Sequence, residues 1–533
     1  MNSSWWNKIY TPLIIAFVFV VGMSVGKRFL SENTYISHSN NSKIQRILQY
    51  IEDDYVDTVK TEEIEDQAIR DIIDGLDPHS SYISPENYHS FVDPLLGNFE
   101  GIGIQFRMIR DSLTVMIPLE GGPSEKAGIK AGDKIVIADG DTIAHRKMSS
   151  NDVIKKLKGE RGSQVSLQVH RSQVDSLLSF DVIRDVIPTF SLDAKFMIDE
   201  KLGYIKISKF SATTIEEFDE AISDLLRQGM EKLILDLRGN SGGYLKAAIS
   251  MADTFLKEGK LIVYTKGKNR PEKKYFADNH GDFEEQELII LIDENAASAS
   301  EIVAGAIQDN DRGQIVGRRS FGKGLVQEQM NFSDGSAVRL TVARYYTPTG
   351  RCIQRSYAEG TDAYYADHYH RILDDLSSKN DSIQELDSLM FTTPKGKVVY
   401  GGGGIMPDVS IPLDTTFNFY FYNRLIRSSV IVEYAIDYYN HHHKELNLFT
   451  DSKDFYKNHQ LSSSIYTEIV KKAKQQDIET SAEEIVKNKE IISNIFKAEL
   501  ARLLFKDEGY YFVYLQKDEV YGRALELVNE TKE

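Results

Sequence analysis

The chain has 533 residues, 41% of them hydrophobic and 27% charged, with 63 Lys and Arg against 80 Asp and Glu and a formal net charge of −17. That length exceeds what one core supports and implies two to four domains. The acidic balance excludes nucleic acid and anionic membrane surfaces as main partners, and the one cysteine, Cys352, excludes both an intramolecular disulfide framework and a cysteine metal cluster.

Trp5, Trp6, Lys8 and Tyr10 precede an apolar stretch, Pro12 to Val25, that ends at Lys27-Arg28. A core of about 14 apolar residues is short for a full span and fits a signal h-region or a marginal anchor. No clear A-x-A cleavage site follows, so residues 1–30 are expected to be an uncleaved anchor, with a cleaved signal and a soluble form as the alternative. With the N-terminus inside, the rest of the chain would lie in the cell envelope, on the periplasmic or extracytoplasmic face of the inner membrane. Residues 31–42 are polar and form a linker.

In an N-terminal helical region, 43–96, apolar residues recur at helical spacing from Lys43 to Asp74, Ile44, Ile47, Leu48 and Ile51 and then Ile64, Ala68, Ile69 and Ile72, which predicts two amphipathic helices before a turn-rich stretch, GLDPHSSYISPENY. Residues 97–184 read as short strands punctuated by Gly-Gly-Pro and Ala-Gly-Asp turns, with one helix over 149–159, a compact module. From 185 to 410 strands and helices alternate, as in a parallel or mixed sheet covered by helices. Within that region 355–395 is polar and irregular and reads as a surface insertion, and GGGGIMPD (401–408) is a second glycine loop. Residues 411–533 are charged and helix-patterned.

Two stretches carry candidate chemistry. LDLRGNSGG (235–243) contains a literal G-x-S-x-G between an apolar run and a helical one, the context of a nucleophile elbow at Ser241. An elbow serine needs a histidine base later in the chain. The candidates His280, His368, His370 and His441 to His443 lie in polar or irregular segments, and the triple histidine reads as a solvated helix surface rather than a metal site. In ENAASASEIVAGAIQDN (294–310), Ser298 stands where a buried-type strand gives way to a helix, at the positive end of its macrodipole. Ser298 is either a nucleophile or an N-cap whose capping box is completed by Glu301; Ser300, one turn further in, is its rival. A base for it is available in GRRSFGKGLVQEQ (317–329). Lys323 lies between two glycines beside Phe321, and burial can lower a lysine by about 3–5 pKa units, enough to bring it from about 10.4 towards neutrality.

ASASE, FGKG and Gln327 four residues on together resemble the carboxy-terminal processing, or tail-specific, serine proteases. DLRGNSGG is similar to that family's DLRxNxGG, YYTPTGRCIQ to its YYTPxGRxIQ, GGGGIMPD to its GGxGxxPD, LDPHSSY to its N-terminal helical region, and 97–184 to its inserted PDZ domain. The resemblance covers residues 40–415. Ala297 departs from the serine of some relatives and leaves the position of Ser298 intact.

The resemblance implies a ClpP/crotonase-like α/β core with a mixed sheet. It also implies an endopeptidase that cleaves through an acyl-enzyme, with Ser298 as nucleophile, Lys323 as general base and Gln327 orienting the lysine. The backbone N–H groups of Gly243 and Ala299 would form the oxyanion hole, so that the last glycine of LDLRGNSGG, not its serine, is the working residue. No metal, nucleotide or other cofactor is called for. Gly101, Ile102, Gly103 and Ile104 would bind the substrate's terminal carboxylate, with the isoleucines favouring apolar C-termini, and the N-terminal helices could support a homodimer. A non-catalytic peptide-binding scaffold and an esterase using Ser241 are the competing expectations.

Overall fold

The computed structural model describes residues 16–19, 21, 43–109, 112–119, 121–144, 148, 150–172, 174–278, 281–376, 389–413 and 419–530. Most of Pro12 to Val25, the 31–42 linker and His280 lie outside these. Among the described residues no helix is long and apolar enough to cross a membrane. The chain divides into two units, 1–76 and 77–533. The first holds the two expected helices, Lys43–Asp54 and Thr61–Asp74. The second takes over the end of the expected N-terminal region, because strand Ser81–Ile83 pairs with Arg339, Val338 and Ala337.

The centre of the second unit is a six-stranded sheet in the order 192–197, 202–207, 232–236, 287–292, 314–317, 409–410, parallel except for its first pair. The runs LGYIKI and LIILI are buried at nearly every residue, as strands covered on both faces must be. Side chains alternate between the faces. Ile205, Ile207, Leu233, Leu235, Leu288, Ile290 and Ile292 pack with the helices Thr214–Arg227, Leu245–Asp253 and Ala299–Asp309. Leu202, Tyr204, Ile234, Ile289, Leu291 and Val316 pack instead with Leu515, Val520, Tyr521, Ala524 and Val528. The C-terminal helix Glu519–Glu530 is therefore the second cover of the sheet and no mere extension.

A second sheet carries the strands Ser81–Ile83, Leu325–Asn331, Ala337–Tyr346, Leu261–Lys266 and Lys273–Phe276, all antiparallel. The β-rich module forms its own sheet, with strand Ile104–Ile109 at an open edge and a core around Leu113, Ile135, Val165 and Leu167. The strands Asn98–Gly101 and Asp185–Pro188 pair where the chain enters and leaves the module. The helices from Phe419 to Tyr514 surround Phe421, Ile431, Phe455, Ile469 and Phe496. They meet the module through Val432 and Ile436 against Met116.

Part of the expected irregular insertion over 355–395 is regular, while 377–388 lie outside the described residues. Thr361–Leu376 is a helix, and Tyr364, 2% exposed, packs against Phe321. The polar residues of that stretch hide one aromatic stripe, too sparse to register as amphipathic in sequence. Tyr521, edge-on to Tyr204 at 5.9 Å and 3% exposed, tests the second cover. Tyr521→Ala is expected to cost about 3–5 kcal/mol, read as a lower midpoint of thermal unfolding.

Candidate active site

Ser298 opens the helix Ala299–Asp309 with φ 55° and ψ −109°. An N-cap holds extended dihedrals, whereas positive φ in a serine is strain that its surroundings must maintain. Ser298 thus caps the helix, with Glu301 completing the expected capping box, but its dihedrals depart from those of an ordinary cap. What maintains them is Glu301, 0% exposed. Its carboxylate accepts the N–H groups of Ser298 (2.8 Å), Gly322 (2.7 Å) and Lys323 (2.9 Å) and the hydroxyl of Ser320 (2.5 Å). Burial pushes the Glu301 carboxyl up and these four donors pull it back. One carboxylate thus joins the serine's backbone to the lysine's. The Tyr345 hydroxyl donates to the Ser298 carbonyl at 3.1 Å.

Lys323 leads into strand Leu325–Asn331 and donates from Nζ to Gln327 Oε1 at 3.0 Å. The register with Ala337–Tyr346 slips between Val326 and Gln327, a bulge that re-aims the glutamine. Burial first, and then the charge of Arg339, lower Lys323 from 10.5 to about 8, against the pull of Asp77 and Glu301. Gln327 Nε2 in turn donates to the His79 carbonyl.

The loop Leu237–Gly243 forms the opposite wall. Asn240, 0% exposed, donates from Nδ2 to the Ile207 carbonyl (3.1 Å) and accepts the Gly242 N–H on Oδ1 (2.8 Å). Its carbonyl accepts the Ala297 N–H (3.0 Å) and the Ser300 hydroxyl (2.9 Å). Ser300 is thereby a buried structural donor, and Ser241 is exposed. A Cβ on Gly242 would lie 2.8 Å from Ser298 Cβ and 3.0 Å from the Ala299 nitrogen. A Cβ on Gly243, at φ +149°, would lie 1.9 Å from the Phe210 oxygen. Both positions therefore require glycine. Arg238 of the same loop is held by Asp236 on one side and by Asp518 at 2.8 and 2.9 Å on the other, so the C-terminal region reaches this wall.

In the β-rich module Ile102, 2% exposed, belongs to the core, and Ile104, half-buried, begins the edge strand. Gly103 has φ +71°. The Ile102 and Gly103 carbonyls accept the N–H groups of Ser124 and Leu119, both at 3.0 Å. The described histidines among those weighed for Ser241 are engaged elsewhere or exposed. His368 lies 5.0 Å from the Phe321 ring, His370 is exposed, and His441, His442 and His443 donate from Nδ1 to carbonyls of their own helix. Residues that sequence reasoning missed are His79, Arg339 and the bridging role of Glu301. The SxxE spacing marked Glu301 as a cap partner, and only the fold shows its reach to Lys323.

The chain matches peptidase family S41 over residues 201–362, a PDZ domain over 101–182 and a family of unknown function (DUF8443) over 421–506. It is 34% identical over 351 residues to a carboxy-terminal-processing protease of Bartonella bacilliformis, covering 64% of this chain and 80% of that protein. It is 33% identical over 318 residues to the carboxy-terminal processing protease CtpA of Bacillus subtilis, covering 60% and 67%. Among solved structures, a photosystem II D1 C-terminal processing protease is 30% identical, with 59% of this chain and 84% of that chain covered at a TM-score of 0.34.

Glu301→Ala leaves three amides and a hydroxyl without their acceptor. It is expected to cost about 3–5 kcal/mol, measured by calorimetry as a fall in the unfolding temperature.

Proposed function

Because the chain belongs to peptidase family S41 and is a carboxy-terminal-processing serine protease with a PDZ domain, we propose that Ser298 is its nucleophile, Lys323 its general base and Gln327 the residue that orients the lysine. The observation that carries this reading is the buried Lys323, lowered to about 8 and tied through Glu301 to the backbone of a strained serine.

A base must present a lone pair. Desolvation and Arg339 favour the neutral amine, and Gln327 holds it with an uncharged acceptor that stabilises the ammonium less than a carboxylate would. Neutral Lys323 takes the Ser298 proton as the hydroxyl attacks the scissile carbonyl, then passes that proton to the leaving amine. Water resolves the acyl-enzyme by the same relay. The Gly242 N–H is already committed to Asn240, which supports Gly243 and Ala299 as the N–H donors to the oxyanion.

The substrate's C-terminus is captured by the PDZ domain, its carboxylate at Gly101 to Ile104 and its backbone added to the edge strand Ile104–Ile109. Attachment to a membrane through Pro12 to Val25 is part of the same proposal, supported by the composition of that stretch. Recovery of the full chain in the soluble fraction after lysis, without detergent, would remove it.

Ser298→Ala and Lys323→Ala are each expected to lower kcat by about 10⁴-fold or more, with Ser241→Ala retaining most activity. Gly243→Ala keeps the N–H but forces a Cβ against the Phe210 carbonyl, and the displaced donor is expected to cost about 10²–10³-fold. Lys323 acts deprotonated, so kcat/KM rises with pH through a midpoint near 8; a bell centred in the histidine range would contradict the assignment. Peptides with a free C-terminus are expected to be cleaved faster than their amides, and equal rates would remove the carboxylate-capture step.

A further inference from the structure

The turn that carries His79 has no part in the reaction as written, yet it touches the group that orients the base. Asp77 closes this turn. Its Oδ1 accepts the N–H groups of His79 and Ser80 at 2.9 Å each, and its Oδ2 accepts the Ser80 hydroxyl at 2.6 Å. Thr341 fastens the turn to strand Ala337–Tyr346, donating its hydroxyl to Asp77 Oδ1 (3.2 Å) and its N–H to Ser80 Oγ (3.0 Å). That strand also pairs with the one carrying Gln327. The His79 carbonyl therefore faces Gln327, and its ring Nε2 lies 3.0 Å from the Tyr364 hydroxyl. The helix Thr361–Leu376 holds this arrangement from outside. Tyr365 donates to the Pro78 carbonyl at 3.1 Å, and Arg371 donates to the Ser320 carbonyl at 3.1 Å.

The carbonyl matters because an amide side chain has two ends. With Oε1 toward Lys323, Gln327 accepts an N–H and leaves the amine's lone pair free. Flipped, its NH₂ would donate to that lone pair and occupy it. A carbonyl is an acceptor only, so the His79 oxygen admits one of the two orientations. We infer that Asp77 and His79 are positioning residues of the general base. The carboxylate-closed turn holds the His79 carbonyl where it locks the Gln327 amide, and the amide then directs the lone pair of Lys323. This rests on the assignment of Lys323 as base.

The charged and titratable groups around the amine are Arg339 from strand Ala337–Tyr346, Glu301 from the helix after Ser298, and Asp77 and His79 from the turn. His79 is lowered to about 4 by burial and then by Lys323, with Arg355 adding to the effect, so it is neutral where the enzyme works. Asp77 is the group whose charge can be removed while its acceptor oxygen stays.

The test is the pH dependence of kcat and KM for the full chain on a peptide with a free C-terminus. The variants are Asp77→Ala, Asp77→Asn, Gln327→Ala, Asp77→Ala with Gln327→Ala, and Lys323→Ala. Asp77→Ala is expected to lower plateau kcat by about 10–100-fold with KM changed less than about threefold. The double variant should be no worse than the weaker single one. Asp77→Asn should recover most of that kcat. Without the negative charge, Lys323 loses its proton more readily, so the acid limb should move down by about 0.5–1 pH unit.

Losses in Asp77→Ala and Gln327→Ala that multiply would overturn the inference. Where Asp77→Ala does not fold, Thr341→Val, which removes one fastening of the turn, takes its place in the cycle, and losses that multiply with Gln327→Ala again overturn the inference. Titrating activity surviving in Lys323→Ala would instead overturn the base assignment. An inactive Lys323→Ala beside wild-type behaviour of both Asp77 variants would overturn the positioning role alone.

Discussion

The buried carboxylate of Glu301 is the constraint on which the region around Ser298 and Lys323 is built. It stands inside the helix that starts at Ser298 and gathers donors from Ser298, Ser320, Gly322 and Lys323. A carboxylate without solvent is costly, and four donors offset that cost. The consequence is geometric. The serine cannot relax from positive φ without giving up its bond to Glu301, and the lysine loop cannot move from the serine without giving up its own.

Glycines let the two walls come together at this carboxylate. Gly242 lies against Ser298 and Ala299, and Gly322 lies against Gly404 at a spacing that leaves no room for a Cβ. The second glycine loop seats on Ser320, which exchanges hydrogen bonds with Ile405 through both its N–H and its hydroxyl. The family motifs scattered along the chain thus describe one object. LDLRGNSGG, ASASE, FGKG and GGGGIMPD meet around a single helix start.

The C-terminal region takes part in the same structure. Its last helix completes the core beneath the sheet, Asp518 grips Arg238 of the loop Leu237–Gly243, and Val432 and Ile436 pack on Met116 of the PDZ domain. Gly132 of that domain comes so close to Ile436 that a Cβ would sit 2.9 Å away. One helical region therefore contacts both the peptide-binding and the peptide-cleaving modules.

Local pattern determined much of this by itself. Buried-type runs such as LIILI, the alternation of strands and helices, the glycine turns of the PDZ module and the two helices before residue 75 are short-range properties, and they form where the periodicities put them. Motif spelling also singled out Ser298, Lys323 and Gln327 as candidates. Long-range packing decided the rest. That Glu301 spans two loops, that a bulge turns Gln327 toward Lys323, and that the His79 carbonyl meets Gln327 across 248 residues of chain all depend on strand register. That the C-terminal helix is a cover of the sheet depends on which face of each strand is left open. No window of sequence holds both partners of such contacts, so the chain alone specified the parts and only the folded structure brought them to one carboxylate.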